Sequence, residues 1–469
     1  MARPSREELE AENASLRDRV GELESLAEGQ AEQLKKLGEL VERLRRQGKR
    51  QSAPFSKGEP TLRPGRGGRK KGEFHGRHGH RPVPPVADRE IEVPLPGCCP
   101  DCGGDVELDR WADQFHTELP EPRPVVTRFK VGVGHCTRCR RRVQGRHAEQ
   151  TSDALGAAGS MLGPHARALG HWLHYVLGLS FGKTAKLLGH FGVPVTAGAL
   201  ASGAQATGRA LVPTNKAITL AVGESKVVVI DETGWRVAGW GAWLWVATTP
   251  TATVYKVAEG RRFEDATTLV PADYQGTIVR DGYVVYRNGY TAATHQTCLA
   301  HLLRRTVEMI EADVPNGRRF PRQIKTLLTE ALAARDLPAP ERNREAARIG
   351  DRVDVLTAEI AAAYQPCDAD RRLAKHLGKE RSALLTFLTD KAIADGVDAT
   401  NWRAEQGVRP AVVNRKVWGG NRTWGGAATQ SRMMTFFRTA VQRGADPIDL
   451  LIGHARAPDV GIIPGLGLT

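Results

Sequence analysis

The chain has 469 residues, 41% of them hydrophobic and 26% charged, and a formal net charge of +14 at pH 7. That length leaves room for several domains. No apolar run reaches the roughly eighteen residues of a membrane span, and the opening MARPSREELEAEN lacks the apolar core of a secretory signal, so a cytoplasmic protein without membrane contact is expected.

Seven cysteines are too few for a disulfide scaffold of this size. The positive charge is unevenly spread: Gly48 to Pro82 holds ten Lys/Arg against two Glu. Such a concentration points to nucleic acid, and hence to a nucleoid-associated protein.

Residues 8 to 45 carry a seven-residue repeat. Leu9, Leu16, Leu23, Gln30, Leu37 and Leu44 share one heptad position, and Asn13, Val20, Ala27, Leu34 and Val41 share another. This seam predicts a coiled coil that makes a homodimer or higher oligomer, with Asn13 fixing register. A single amphipathic helix is the alternative. The basic, Gly- and Pro-rich segment that follows buries too little apolar surface to fold alone. Arg66, Arg69, Lys70 and Lys71 are its candidate phosphate contacts, and a solvated tether is the alternative.

Two Cys-x-x-Cys pairs come next, Cys99/Cys102 in CCPDCGG and Cys136/Cys139 in HCTRCR. Two thiolates three positions apart turn toward one ion, and two such knuckles make a four-sulfur structural zinc site. Alternating stretches such as VVTRFKVGV suit the strands of a zinc ribbon. Cys98 is an alternative to Cys99. From 160 to 210 the pattern turns helical: a helix through Leu188, a turn at His190–Val193 and a second helix from Thr196 suggest helix-turn-helix, or simply two packed helices.

After Pro213 the period becomes that of strands. SKVVVIDET opens, GAWLWVATT and ATVYKVAEG follow as an antiparallel pair, RFEDATTLV reads as helical, and GTIVRDGY is a further strand. The first and last of these end in an acid, Asp231 and Asp281. This element order is that of a ribonuclease-H-like sheet, in which the two acid-bearing strands are neighbours. Adjacent carboxylates are costly unless neutralised, and two Mg²⁺ ions about 3.5–4 Å apart would do so. Acids that cap helices or face water are the alternative. Glu232 falls on the opposite side of its strand and is expected to be a bystander. Residues 300 to 398 have helical spacing. Beyond them Glu405 lies among Arg409, Arg415, Lys416 and Arg422 with Trp418 and Trp424 interleaved, a setting that suits a metal ligand beside bound DNA.

The order of zipper, basic linker, zinc ribbon and IDETGW, together with RPAVVNRKVWGGNRTWGGAATQS, resembles the insertion-sequence-66 family of transposases. The resemblance implies a multidomain α+β protein whose ribonuclease-H-like α/β core carries the acids Asp231, Asp281 and Glu405. It further implies a helical insertion before Glu405, two catalytic Mg²⁺ ions, and accessory proteins of the same element. CLAHLLRR is similar to a Cys-x-x-His element of such enzymes, which gives Cys298 and His301 positioning roles. Gln406 stands where the family usually has Arg.

The expected organisation is a dimerisation helix (1–47), a basic linker (48–90), a zinc ribbon (91–155) and helix-turn-helix-like helices (156–215). The catalytic core follows (216–299), interrupted by the insertion (300–398) and completed by the Glu-bearing helix and basic segment (399–445) before a C-terminal tail (446–469). The implied function is Mg²⁺-dependent cleavage and strand transfer of double-stranded DNA at terminal inverted repeats. A non-catalytic DNA-binding regulator and a ribonuclease-H-like nuclease without strand transfer are the alternatives.

Overall fold

The computed structural model describes residues 83–119, 121–312, 319–364 and 366–468, together with Leu16, Arg19, Val20, Gly21, Leu23, Gly29, Gln30 and Gln33. The chain divides into two compact units, Met1–Glu118 and Leu119–Thr469. In the first, the seam positions Leu16, Val20, Leu23 and Gln30 are helical and exposed. The remaining seam residues Leu9, Asn13, Ala27, Leu34, Leu37, Val41 and Leu44 lie outside the described residues, as do Arg66, Arg69, Lys70 and Lys71. Residues 83–118 carry no helix or strand, only a tight turn at the first cysteine pair.

The second unit begins with a small antiparallel hairpin, β1 (Val133–His135) and β2 (Arg142–Gln144). The alternating VVTRFKVGV becomes strand only at its last residue, because among the described residues no strand runs beside Val125 to Val131 to pair with them. Four helices follow: α1 (Pro164–Tyr175), α2 (Phe181–His190), α3 (Ala197–Ala210) and α4 (Val212–Gly223). Pro164 starts α1 where no N–H is needed. Ser180 and Thr196 cap α2 and α3 by accepting from Lys183 N (3.3 Å) and Ala199 N (3.1 Å). The turn between α2 and α3 uses Gly192 at φ 77°.

One sheet organises the rest. It comprises β3 (Val227–Val237), β4 (Trp240–Thr248), β5 (Thr253–Ala258), β6 (Thr277–Arg280) and β7 (Thr294–Thr297), in the order β5-β4-β3-β6-β7. β3, β4 and β5 are antiparallel neighbours, while β6 and β7 run parallel to β3. The parallel strands need crossovers, supplied through the short helices α5 (Phe263–Ala266) and α6 (Val284–Gly289). RFEDATTLV is therefore helical over only four residues. β7, whose THQT has no apolar alternation, is a strand that the sequence pattern did not announce.

Further helices follow among the described residues: α7 (Leu299–Glu311), α8 (Arg319–Ala334), α9 (Ala339–Ala362), α10 (Asp368–Leu384), α11 (Asp390–Asp395), α12 (Trp402–Trp418) and α13 (Trp424–Gln442). Residues 446–469, expected as a tail, instead form α14 (Pro447–Arg456) and bury Leu451, Ile463 and Leu466 in the core. Asp446 caps α14 by accepting from Ile448 N at 2.7 Å, and apolar residues at helical spacing give it a face to bury. The described residues contain no helix long and apolar enough to cross a membrane.

The alternation of β3 sorts two cores. Val227, Val229, Trp235 and Val237 face a cluster built with α7 to α12, including Leu299, Leu328, Leu377 and Ala404. Val228 and Ile230 face the other, with Ile218, Tyr286, Met433 and Phe436. Each such buried apolar side chain contributes about 1.5–3 kcal/mol, so a one-residue slip of β3 would be strongly opposed.

Both sheet edges are sealed. On β5 the outward N–H groups of Thr253, Tyr255 and Val257 donate to the hydroxyls of Thr439 (3.1 Å), Thr435 (2.9 Å) and Ser431 (2.9 Å), spaced four apart on α13. At β7 the Gln296 amide oxygen accepts from Phe387 N at 2.9 Å and its nitrogen donates to Leu384 O at 3.3 Å. An unpaired edge would otherwise invite another chain.

Candidate functional site

Asp231 lies on β3 two residues beyond Val229, which is in register with Val279 of the parallel β6. Asp281 lies two residues beyond Val279, so the same register carried forward sets the two aspartates level on neighbouring strands. The Asp281 carboxylate accepts from Tyr283 N at 2.9 Å, and Arg280 donates to the Asp281 carbonyl at 2.8 Å. Gly282 is required beside it: a Cβ there would come within 2.5 Å of the His376 ring.

Glu405 arrives on α12. That helix sits directly on β3 and β4, and at Gly407 an added Cβ would meet Val246 at 3.2 Å. Tyr255 on β5 donates to the Gly407 carbonyl at 2.8 Å, which holds the helix down two residues past Glu405. The chain reaches α12 through the insertion, whose ends are tied: Leu299 N donates to Ala399 O at 2.9 Å and Asn401 N points to Cys298 Sγ at 3.4 Å. Cys298 is buried at the start of α7, and burial raises its thiol while the N–H groups of Asn401, His301 and Ala300 oppose that rise. Three residues on, His301 Nε2 stands 3.6 Å from the Glu405 carboxylate, with Arg304 at 4.0 Å.

Electrostatics join these carboxylates. Burial, followed by the like charges of Glu232 and Asp281 and, less strongly, Glu405, pushes Asp231 up to about 8, against a lowering by the Glu232 N–H. The cluster is thus a like-charge site, and its donors are all carboxylate oxygens, the set that hard divalent cations prefer. Among the described residues, no three His, Cys, Asp or Glu side chains are posed closely enough to share one ion. Glu405 leans instead toward His301 and Arg304. By donor chemistry the residues fit Mg²⁺.

Glu232 does face the other side of β3, but it is no bystander. Its side chain is buried, paired with Arg261 and hydrogen-bonded by the Tyr286 hydroxyl. Burial raises its carboxyl, opposed chiefly by that tyrosine and by Arg261. Arg261 is itself held over the Tyr283 ring at 3.7 Å and the Trp243 ring at 4.7 Å. Arg261, Tyr283 and Tyr286 were absent from the sequence expectations. The aromatic pair Tyr283 and Tyr286 just after Asp281 was the only local hint.

The basic residues flank Glu405. Arg409 and Arg422 are exposed, and Lys416 lies on the outer side of α12. Arg415 reaches across β3, 3.5 Å from where a Gly234 Cβ would stand, and burial with the neighbouring Arg236 lowers its pKa. Gln406, Arg409, Asn414 and Arg438 line a pocket of about 350 Å³ against Val176 and Leu177 at the end of α1.

Each cysteine pair forms a knuckle within its own unit. Gly103 N donates to Cys99 O at 2.9 Å and Arg140 N to Cys136 O at 2.9 Å, and both Gly103 and Arg140 have positive φ (74° and 59°). Backbone N–H groups lower Cys99, from Asp101 and Cys102, and Cys136, from Cys139 and Arg138. Cys99 and Cys102 belong to the first unit, Cys136 and Cys139 to the second.

A mixed α+β domain with this acid cluster and basic flank is consistent with the transposase class. Residues 159–429 match the family described as Transposase IS66 family, more than half of the chain, and the protein belongs to that family. The family is of DDE type and generally uses Mg²⁺. No curated protein matches the chain.

Proposed function

We propose that the protein is a DDE transposase that binds the ends of its element as double-stranded DNA, cleaves them and joins them to a target. The observation that supports this reading is that Asp281, just past β6, and Glu405, on α12, are among the like charges that raise Asp231 on β3.

Asp231, Asp281 and Glu405 would hold two Mg²⁺ ions, which when bound supply charge neutralisation for phosphoryl transfer. His301 and Arg304 orient the Glu405 carboxylate, and Cys298 fixes the start of α7 beneath them. Arg409, Arg415, Lys416 and Arg422 hold phosphates on the α12 side. Arg438 brings a guanidinium into the pocket that Gln406 lines, in place of the arginine usual after the Glu. In the first reaction water attacks an end phosphate and the P–O3′ bond breaks, leaving a 3′-hydroxyl and a 5′-phosphate. In the second, that hydroxyl attacks a target phosphodiester, and the target's own 3′-oxygen leaves with the proton.

Each folded-back knuckle, with N–H groups turned to its sulfurs, is suited to thiolate binding of Zn²⁺. The exposed Leu16, Val20 and Leu23 support pairing of N-terminal helices between copies.

The test is cleavage of end-bearing duplex with Mg²⁺, with EDTA, and by Asp231→Ala, followed by strand transfer from pre-cleaved ends. Mg²⁺-dependent cutting lost in Asp231→Ala is expected. Cutting that survives the substitution removes the acid assignment, and cutting without joining leaves a nuclease.

A further inference from the structure

The β3–β4 hairpin carries a feature that the acid cluster does not use. Its two-residue turn is Ala238-Gly239, at φ 51° and 84°, and the next residue, Trp240, is 80% exposed. A tryptophan left in water at a hairpin tip forgoes a large burial energy. An alanine at positive φ costs about 1–2 kcal/mol and persists only where its surroundings impose it.

Those surroundings are rigid. Ala238 N donates to Asn421 O at 2.8 Å, Asn421 N donates to Arg236 O at 3.0 Å, and Trp235 Nε1 donates to Asn421 Oδ1 at 2.8 Å. The loop joining α12 to α13 thus clamps the hairpin. Gly420 is forced there, because a Cβ would meet Arg236 O at 2.4 Å.

The clamped region is also basic, with no acid in either of its own segments. Gly234–Trp243 and Arg415–Trp424 contain no Asp or Glu, while Arg236 and Arg422 are exposed. Arg415 lies beside Arg236, and its Nε is buried with no hydrogen-bond partner. A projecting indole framed by unpaired guanidinium groups is complementary to a nucleobase with its phosphates.

We propose that this hairpin tip is an aromatic wedge for DNA, in which Trp240 stacks on a base unstacked from the bound end while Arg236 and Arg422 take the adjacent phosphates. The inference rests on the reading of the chain as a DNA-end-binding transposase and adds a contact to it. Val237, paired with Trp240, stands six residues along β3 from Asp231. At about 3.3 Å per residue the wedge lies about 20 Å from the acids, or about six base pairs at ~3.4 Å each.

Full-length protein is titrated onto end duplexes carrying a single 2-aminopurine at each successive position inward from the cut. Emission is expected to rise at one position about six base pairs in. Trp240→Phe keeps that signal. Trp240→Ala loses it and binds about tenfold more weakly, with unchanged circular dichroism because the side chain is exposed. An unchanged 2-aminopurine signal in Trp240→Ala overturns the wedge. So does a lower oligomeric state of that variant by light scattering at unaltered DNA affinity, which would make the tip a contact between copies. Binding without any emission change overturns the inference alone, whereas failure to bind the end duplex overturns the transposase reading with it.

Discussion

Asp231 is an acid whose folded setting favours the proton. Its ordinary value is 3.8 and the folded chain raises it to about 8. The folded state therefore binds more protons than the unfolded state between those values, and stability falls as pH rises through that window. In EDTA, the melting temperature of the native chain is expected to drop between pH about 4 and about 8 more steeply than that of Asp231→Asn, which cannot ionise. Equal slopes in thermal melts would show that burial and the like charges do not hold the proton on this residue. The strands that lead to the two aspartates were legible in sequence as β-branched runs, but β3 does not end at its acid and continues past Asp231 to Val237. The anchoring of Glu232 was not: Arg261 and Tyr286 are 29 and 54 residues away, and only the folded sheet brings them to it. A strand periodicity gives the face of a side chain but says nothing of what waits there.

Helix α12 carries the third acid, and its position depends on one glycine. Gly407 lets the helix lie against Val246 and Tyr255, so Gly407→Val must lift it. Overpacking of this kind costs about 1–3 kcal/mol. Urea titration should show that loss, and DNA cleavage should fall by more than the stability change alone implies, since Glu405 moves with the helix. The existence of the helix and its basic face were readable from residue types, and so were α2 and α3, whose boundaries follow their caps. The strand β7 and the brevity of α5 were not. THQT has no pattern of its own and is a strand because β6 and the 384–387 segment pair with both of its sides.

Across the second unit, the insertion is bound to the sheet by charge as well as by packing. Glu380 on α10 is fully buried between Arg280 of β6 (2.8 Å) and Arg287 of α6 (2.5 Å). Glu380→Ala would strand two guanidinium groups, Arg280 itself fully buried, at a cost of about 3–5 kcal/mol. Equilibrium unfolding would report that loss, and a change below about 1 kcal/mol would mean that the network is already solvated. Helical spacing from 300 to 398 announced the insertion in the sequence. That one of its acids would neutralise the residue next to Asp281 could not be read, because that contact exists only after the sheet is built.

The hydroxyl ladder on α13 has a further consequence, for the order in which the protein is made. Synthesis delivers Asp231, Asp281 and Glu405 before it delivers Ser431, Thr435 and Thr439. A nascent or truncated chain ending near residue 425 therefore owns its full set of acids while the N–H row of β5 stays open. Such a chain adds strands from its neighbours instead of closing on itself. Completion of α13 is thus a checkpoint on solubility, and it selects finished molecules from those that hold only the three acids.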